Sequence, residues 1–107
     1  MILYHGTRAH HAEVIARDGL VSSIGYARPQ WFMLAEDFAS ASHHSQASGS
    51  YPVVVEFSIP VGPRNREWDG EPYLWPPREI NWKGTPTRWW ALRQPIPARF
   101  VRRVVRL

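Results

Sequence analysis

The stretch LYHGTRAHHAEVIARDGL, residues 3–20, orders the reading of the whole chain. Ile2 to Tyr4 is a short apolar run and reads as a strand. The period then changes: Ala12, Ile15 and Ala16 share one face of a helix from about Ala9 to Arg17, with Val14 at its margin. Thr7 is the expected N-cap, with Arg8 as the alternative start. Gly19 supplies the left-handed stop. Between strand and helix stands His5-Gly6-Thr7. A histidine that only packs needs no glycine behind it, whereas one facing a ligand that also touches the main chain does.

Working outward, SSIGYARPQ (22–30) is a loop rich in turn residues, and Gln30 to Ala35 reads as a second strand. Glu36 or Asp37 opens a helix through DFASASHHS, and QASGS (46–50) is a connection. YPVVVEFSIPV (51–61) is the clearest strand, and alternation along it turns Glu56 toward solvent. Beyond Gly62, Pro63, Pro72, Pro76, Pro77 and Pro86 rule out a long helix. Trp68, Tyr73, Trp75 and Trp82 among them predict an ordered loop with one short strand. Thr87–Arg93 and Arg99–Leu107 read as closing strands, and QPIPA (94–98) between them as an edge or sharp corner. Short strands with two short helices in the N-terminal half define an α+β class, in one domain covering 1–107 with no repeat.

The chain has 107 residues, enough for one core, and 44% of them are hydrophobic. It has no cysteine, which excludes disulfides and thiolate metal sites. No apolar run approaches the roughly 18 residues of a membrane span, so the expectation is a soluble, cytoplasmic protein without membrane contact. His10-His11 and His43-His44 suggest a metal at first sight. Adjacent helical side chains diverge by about 100°, so the pairs are read as surface residues and no metal is expected. Charge is lopsided: residues 1–50 carry a net −1 and residues 51–107 a net +5. A basic C-terminal half suits a nucleic acid, a nucleotide phosphate or an acidic surface, or it is simply a solvated arginine-rich face.

The order of YHGT, a short helix ending in DGL, an aromatic strand running into FMLAEDFASA, then VVVEF resembles the ADP-ribosyltransferase superfamily. The C-terminal GTPTRWWALRQPIPARFVRRV is similar to the matching segment of small rifamycin-type ADP-ribosyltransferases, and LYHGT is also shared with the tRNA 2′-phosphotransferases. The resemblance implies a split core of two β-sheets around a cleft for NAD, used as co-substrate. It implies that His5 binds a ribose hydroxyl and that the backbone of Gly6 meets the nicotinamide amide, with Tyr4 and Thr7 beside them. Phe32, or Trp31 in the alternative register, would stack on the nicotinamide ring. These roles suit the residue types: a neutral imidazole offers a donor and an acceptor, glycine admits a flat amide, and an aromatic face favours partial positive charge.

The expected catalytic carboxylate is displaced from the commoner pattern. Many such transferases carry a glutamate before the penultimate strand, where this chain has Trp89. The rifamycin-type branch uses an aspartate in the preceding loop, which points to Asp69 in NREWDGEPY, with Glu67 and Glu71 as neighbouring competitors. Glu56 and Glu79 come next. A fixed carboxylate there would stabilise an oxocarbenium-like ribose as the nicotinamide bond breaks. The implied activity is NAD-dependent transfer of ADP-ribose to a nucleic acid, protein or small molecule, an activity that includes toxins. The competing readings are an RNA 2′-phosphotransferase of the same fold and a non-catalytic nucleic-acid-binding module using arginines and tryptophans.

Overall fold

In the computed structural model, β1 (Ile2–Arg8) lies inside an antiparallel sheet with β2 (Phe32–Ala35) on one side and β3 (Pro52–Ser58) on the other. The remaining elements are α1 (Ala9–Asp18), α2 (Phe38–Ala47), β4 (Tyr73–Leu74), β5 (Trp89–Leu92), a 3₁₀ turn at Ala98–Phe100, and β6 (Val101–Arg106). Sheet order is β4-β5-β2-β1-β3-β6. The structure describes residues 1–21, 32–47, 49–60, 68, 70, 73–74, 88–92 and 94–107. The α+β class expected from sequence is therefore observed, with both helices in the first half.

The first strand is longer than the apolar run predicts. It continues through His5-Gly6-Thr7 to Arg8, because all seven of its residues register with β3, from Ile2↔Ser58 to Arg8↔Pro52. Thr7 consequently belongs to the ladder and does not cap α1. Arg8 holds the N-cap position, with φ −111° and ψ 158°, and makes no side-chain cap bond. At the other end of α1, Gly19 has φ 84° and ψ 178°. This is positive φ but with extended ψ, a region that glycine alone enters readily. A Cβ there would also strike the Ile96 carbonyl, since Leu20 and Ile96 form an isolated antiparallel bridge with bonds of 2.9 and 3.0 Å. The 94–98 segment is thus a crossover over the end of α1, because β5 and β6 lie in opposite halves of the sheet.

The two faces of the sheet carry different cores. On the α1 side Leu3, Phe32, Leu34, Val53, Val55, Phe57 and Leu92 pack with Ala12, Ile15, Ile96 and Trp68. Each such aliphatic or aromatic side chain contributes about 1.5–3 kcal/mol by leaving water. On the α2 side, Ala35, Ala41 and Val54 pack with Tyr4, Phe38 and Trp89. Asp37 caps α2, its Oδ2 accepting the Ser40 amide at 2.8 Å.

Covering both faces explains the uninterrupted run in β3, where Val53 to Phe57 are all buried. It also corrects the expectation for Glu56. Its side chain is 5% exposed, with Oε1 3.1 Å from Arg103 Nε and Oε2 3.5 Å from Arg102 Nε. The register explains how both arginines reach it. Glu56 opposes Arg103 but Phe57 opposes Val101, so Arg102 is the extra residue of a β-bulge.

Where the resemblance implies two sheets, the described strands form one. That sheet is nearly divided. β1 and β3 share seven register pairs and β2 and β5 share four, but β1 and β2 share only Tyr4↔Ala35.

Candidate functional site

Past Tyr4↔Ala35 no further register pair joins β1 and β2, a fork in the ladder with His5-Gly6-Thr7 on one strand and Leu34-Met33-Phe32 on the other. Strand alternation sends Leu3, His5 and Thr7 toward α1 and Tyr4, Gly6 and Arg8 toward α2. The packing agrees: Leu3 sits in the larger core, while Tyr4 lies edge-on to Phe38 at 5.7 Å between ring centroids.

His5 bridges the fork. Its Nδ1 lies 3.4 Å from the carbonyl oxygen of Met33, a long hydrogen bond. A carbonyl can only accept, so Nδ1 carries the proton and Nε2 keeps its lone pair. Desolvation holds the imidazole pKa down at about 4; the Met33 bond opposes this, and repulsion from His44 and His11 adds to it. At neutral pH His5 is an uncharged ring with a fixed tautomer, a state suited to accepting a bond from a hydroxyl.

The rest of the YHGT motif has definite structural work. A Cβ on Gly6 would collide with the Ala41 carbonyl and lie 3.0 Å from the Ser45 amide nitrogen, so the glycine lets the α2 backbone rest on β1. Thr7 is buried, and its Oγ1 lies 3.4 Å from His11 Nδ1. Ser45, fully buried, ties the adjoining Thr7↔Val53 pair. Its hydroxyl lies against the Thr7 carbonyl and accepts the Val53 amide at 2.9 Å. Ser45 was not a candidate from sequence, where it is one of several small residues in DFASASHHS. The Met33 carbonyl carries no sequence signal at all.

Phe32 is 8% exposed and packs in the larger core. Trp31, Glu67, Asp69, Glu71 and Glu79 lie outside the described residues. Of the residues flanking Asp69, Trp68 is anchored, its indole N–H donating to the Pro95 carbonyl at 2.9 Å and its ring edge-on to Phe100 at 5.3 Å. A Cβ on Gly70 would strike the Trp68 ring. Glu56, the other acid near β1, opposes Tyr4 on the α2 side and is neutralised by two guanidiniums. The His10 and His11 rings are tilted by 60° with centroids 4.1 Å apart, and His44 lies edge-on to Trp89 at 6.0 Å. Among the described residues no three His, Asp or Glu side chains converge as a metal site, and no helix is long and apolar enough to cross a membrane. No protein-family model matches the chain, and no curated protein matches it in sequence.

Proposed function

We propose that this chain binds NAD at the fork between β1 and β2 and transfers its ADP-ribose to an acceptor. The observation that carries the reading is His5, neutral and fixed in tautomer by the Met33 carbonyl, at the point where the sheet divides. In this reading Nε2 accepts a bond from a ribose hydroxyl, and the main chain of Gly6 borders the nicotinamide amide. The fork walls supply backbone groups to a flat ligand, and because Phe32 is held in the core, the aromatic surface falls to Trp31, the alternative register.

In the reaction, the bond between nicotinamide and ribose C1′ breaks and nicotinamide leaves with the bonding pair. The nucleophile of the acceptor, or water, bonds to C1′ and releases its proton. Positive charge grows on the ribose on the way, and Asp69 is the carboxylate assigned to stabilise it. Glu56 is poorly suited to that task, because Arg102 and Arg103 already balance its charge.

The test is nicotinamide release from NAD, followed by chromatography, with separate pools of protein, RNA, DNA and rifamycin, and mass analysis of each pool. The expected result is nicotinamide release with a mass gain of one ADP-ribose on a single acceptor class. Intact NAD in every pool would overturn the transferase reading. Asp69→Asn is expected to lower turnover about 100- to 1000-fold with little change in NAD affinity, since the opposed charge exists only in the transition state.

A further inference from the structure

Tyr51 is the most exposed large hydrophobic residue described, at 78%, and it stands in the left-handed region with φ 58°. A β-strand entrance does not require either property. A non-glycine residue with positive φ is rare and strained, and such positions gather at ligand-binding sites. The local backbone holds Tyr51 there: its carbonyl accepts the first amide of α1, from Ala9, at 3.0 Å. Pro52, next in the chain, pairs with Arg8 and accepts the Leu107 amide at 3.1 Å.

Three strand ends therefore meet at the backbone of Tyr51 and Pro52. Arg8 closes β1 and its side chain lies over Gly49, with Cδ 3.8 Å and Nη1 3.9 Å from where a Cβ would be. Arg106, opposite Val53, closes β6 and occupies the other face of the sheet. Both arginines are exposed. Of the described segments that build this end, residues 1–12, 38–47, 49–50 and 94–107 contain no acidic side chain, the first acid of α1 is Glu13, a turn beyond Ala9, and in 51–58 the one acid, Glu56, is already paired. A solvent-facing aromatic ring at a strand end that also carries exposed arginines, with acidic side chains sparse among the described residues there, is the chemistry of a base-stacking platform beside a phosphate track.

We propose that this end of the sheet binds single-stranded nucleic acid, with one base stacked on Tyr51 and the flanking phosphates on Arg8 and Arg106. A peptide of carboxylates alone would satisfy the arginines and leave the ring uncovered, whereas every nucleotide brings both a phosphate and a flat base, so the ring favours nucleic acid. The site rests on these observations alone and not on the NAD reading.

The experiment is anisotropy titration of fluorescent 12-nucleotide single strands, DNA and RNA, with the full chain and no NAD. Wild type should bind and Tyr51→Phe should bind as tightly. Tyr51→Gly should bind about tenfold more weakly or worse. Tyr51→Gly also relieves the positive-φ cost, so its weaker binding cannot be ascribed to unfolding, and a melting curve at or above wild type checks this. Arg8→Gln should weaken binding and reduce the salt slope by about one. Absence of wild-type binding, unchanged affinity in Tyr51→Gly, or displacement by poly-glutamate as readily as by unlabelled strand would each overturn the proposal.

Discussion

The Nδ1 of His5 lies 3.4 Å from the carbonyl oxygen of Met33, across a pair of strands that share a single register pair one residue earlier. The side chain thus spans a gap that the backbone ladder does not close. Its neutrality and its tautomer both follow from that position.

Acid should therefore destabilise the protein in a defined window. The folded pKa of His5 is about 4 against 6.5 for the free side chain, so the unfolded chain binds more protons between those values. Stability is complete above pH 6.5 and falls as pH drops toward 4, by up to about 3 kcal/mol from this residue. His11 is shifted in the same direction, by desolvation first and then by His10 and Arg8, and adds a smaller part. Urea titrations at pH 7, 5.5 and 4.5 should show the fall. In His5→Gln the slope should be shallower but not zero.

The ion cluster at Glu56 predicts non-additive losses. The carboxylate is buried, while the Arg102 and Arg103 side chains are about 60% exposed. Removing one guanidinium leaves the other, and solvent screening keeps the loss to about 1 kcal/mol. Removing both strands a buried charge, which costs about 3 kcal/mol or more. Double-mutant cycles with Arg102→Ala and Arg103→Ala should show a loss larger than the sum of the two single changes.

Gly6→Ala should lower stability by more than about 2 kcal/mol, because the new Cβ meets the main chain of α2 at Ala41 and Ser45. Chemical denaturation reads this directly. Loss of NAD binding in that variant is consequently no test of the motif's ligand role, whereas a His5 variant is.

The order of elements was legible from local signals. The change of period around His5, Gly19, Asp37 and the valine run each define a boundary on their own. What was not legible came from tertiary structure. Thr7 looked like a cap because Ser/Thr before a helical pattern usually is one, but pairing with Val53 draws it into the strand. Glu56 looked exposed because alternation assumes one wet face, and β3 has none. The bulge that turns both Arg102 and Arg103 onto Glu56 depends on the register with β3, which a single strand does not encode. For the candidate site, the His5-Gly6-Thr7 wall and Phe32 stand on opposite sides of one fork, while the partner that fixes His5 is a backbone oxygen, invisible to any reading of side chains. The assigned acid, Asp69, and the alternative aromatic, Trp31, lie outside the described residues.

The central claim is that NAD binds at the fork through His5, and thermal unfolding with and without NAD tests it most directly. A ligand that binds only the folded state at 100 times its Kd stabilises by about 2.7 kcal/mol, which in a domain of this size raises Tm by roughly 10 °C. Wild type should show a rise of that order at saturating NAD. His5→Ala, folded by its own melting curve, should show little or none. An unmoved wild-type curve, or an equal rise in His5→Ala, would contradict the account.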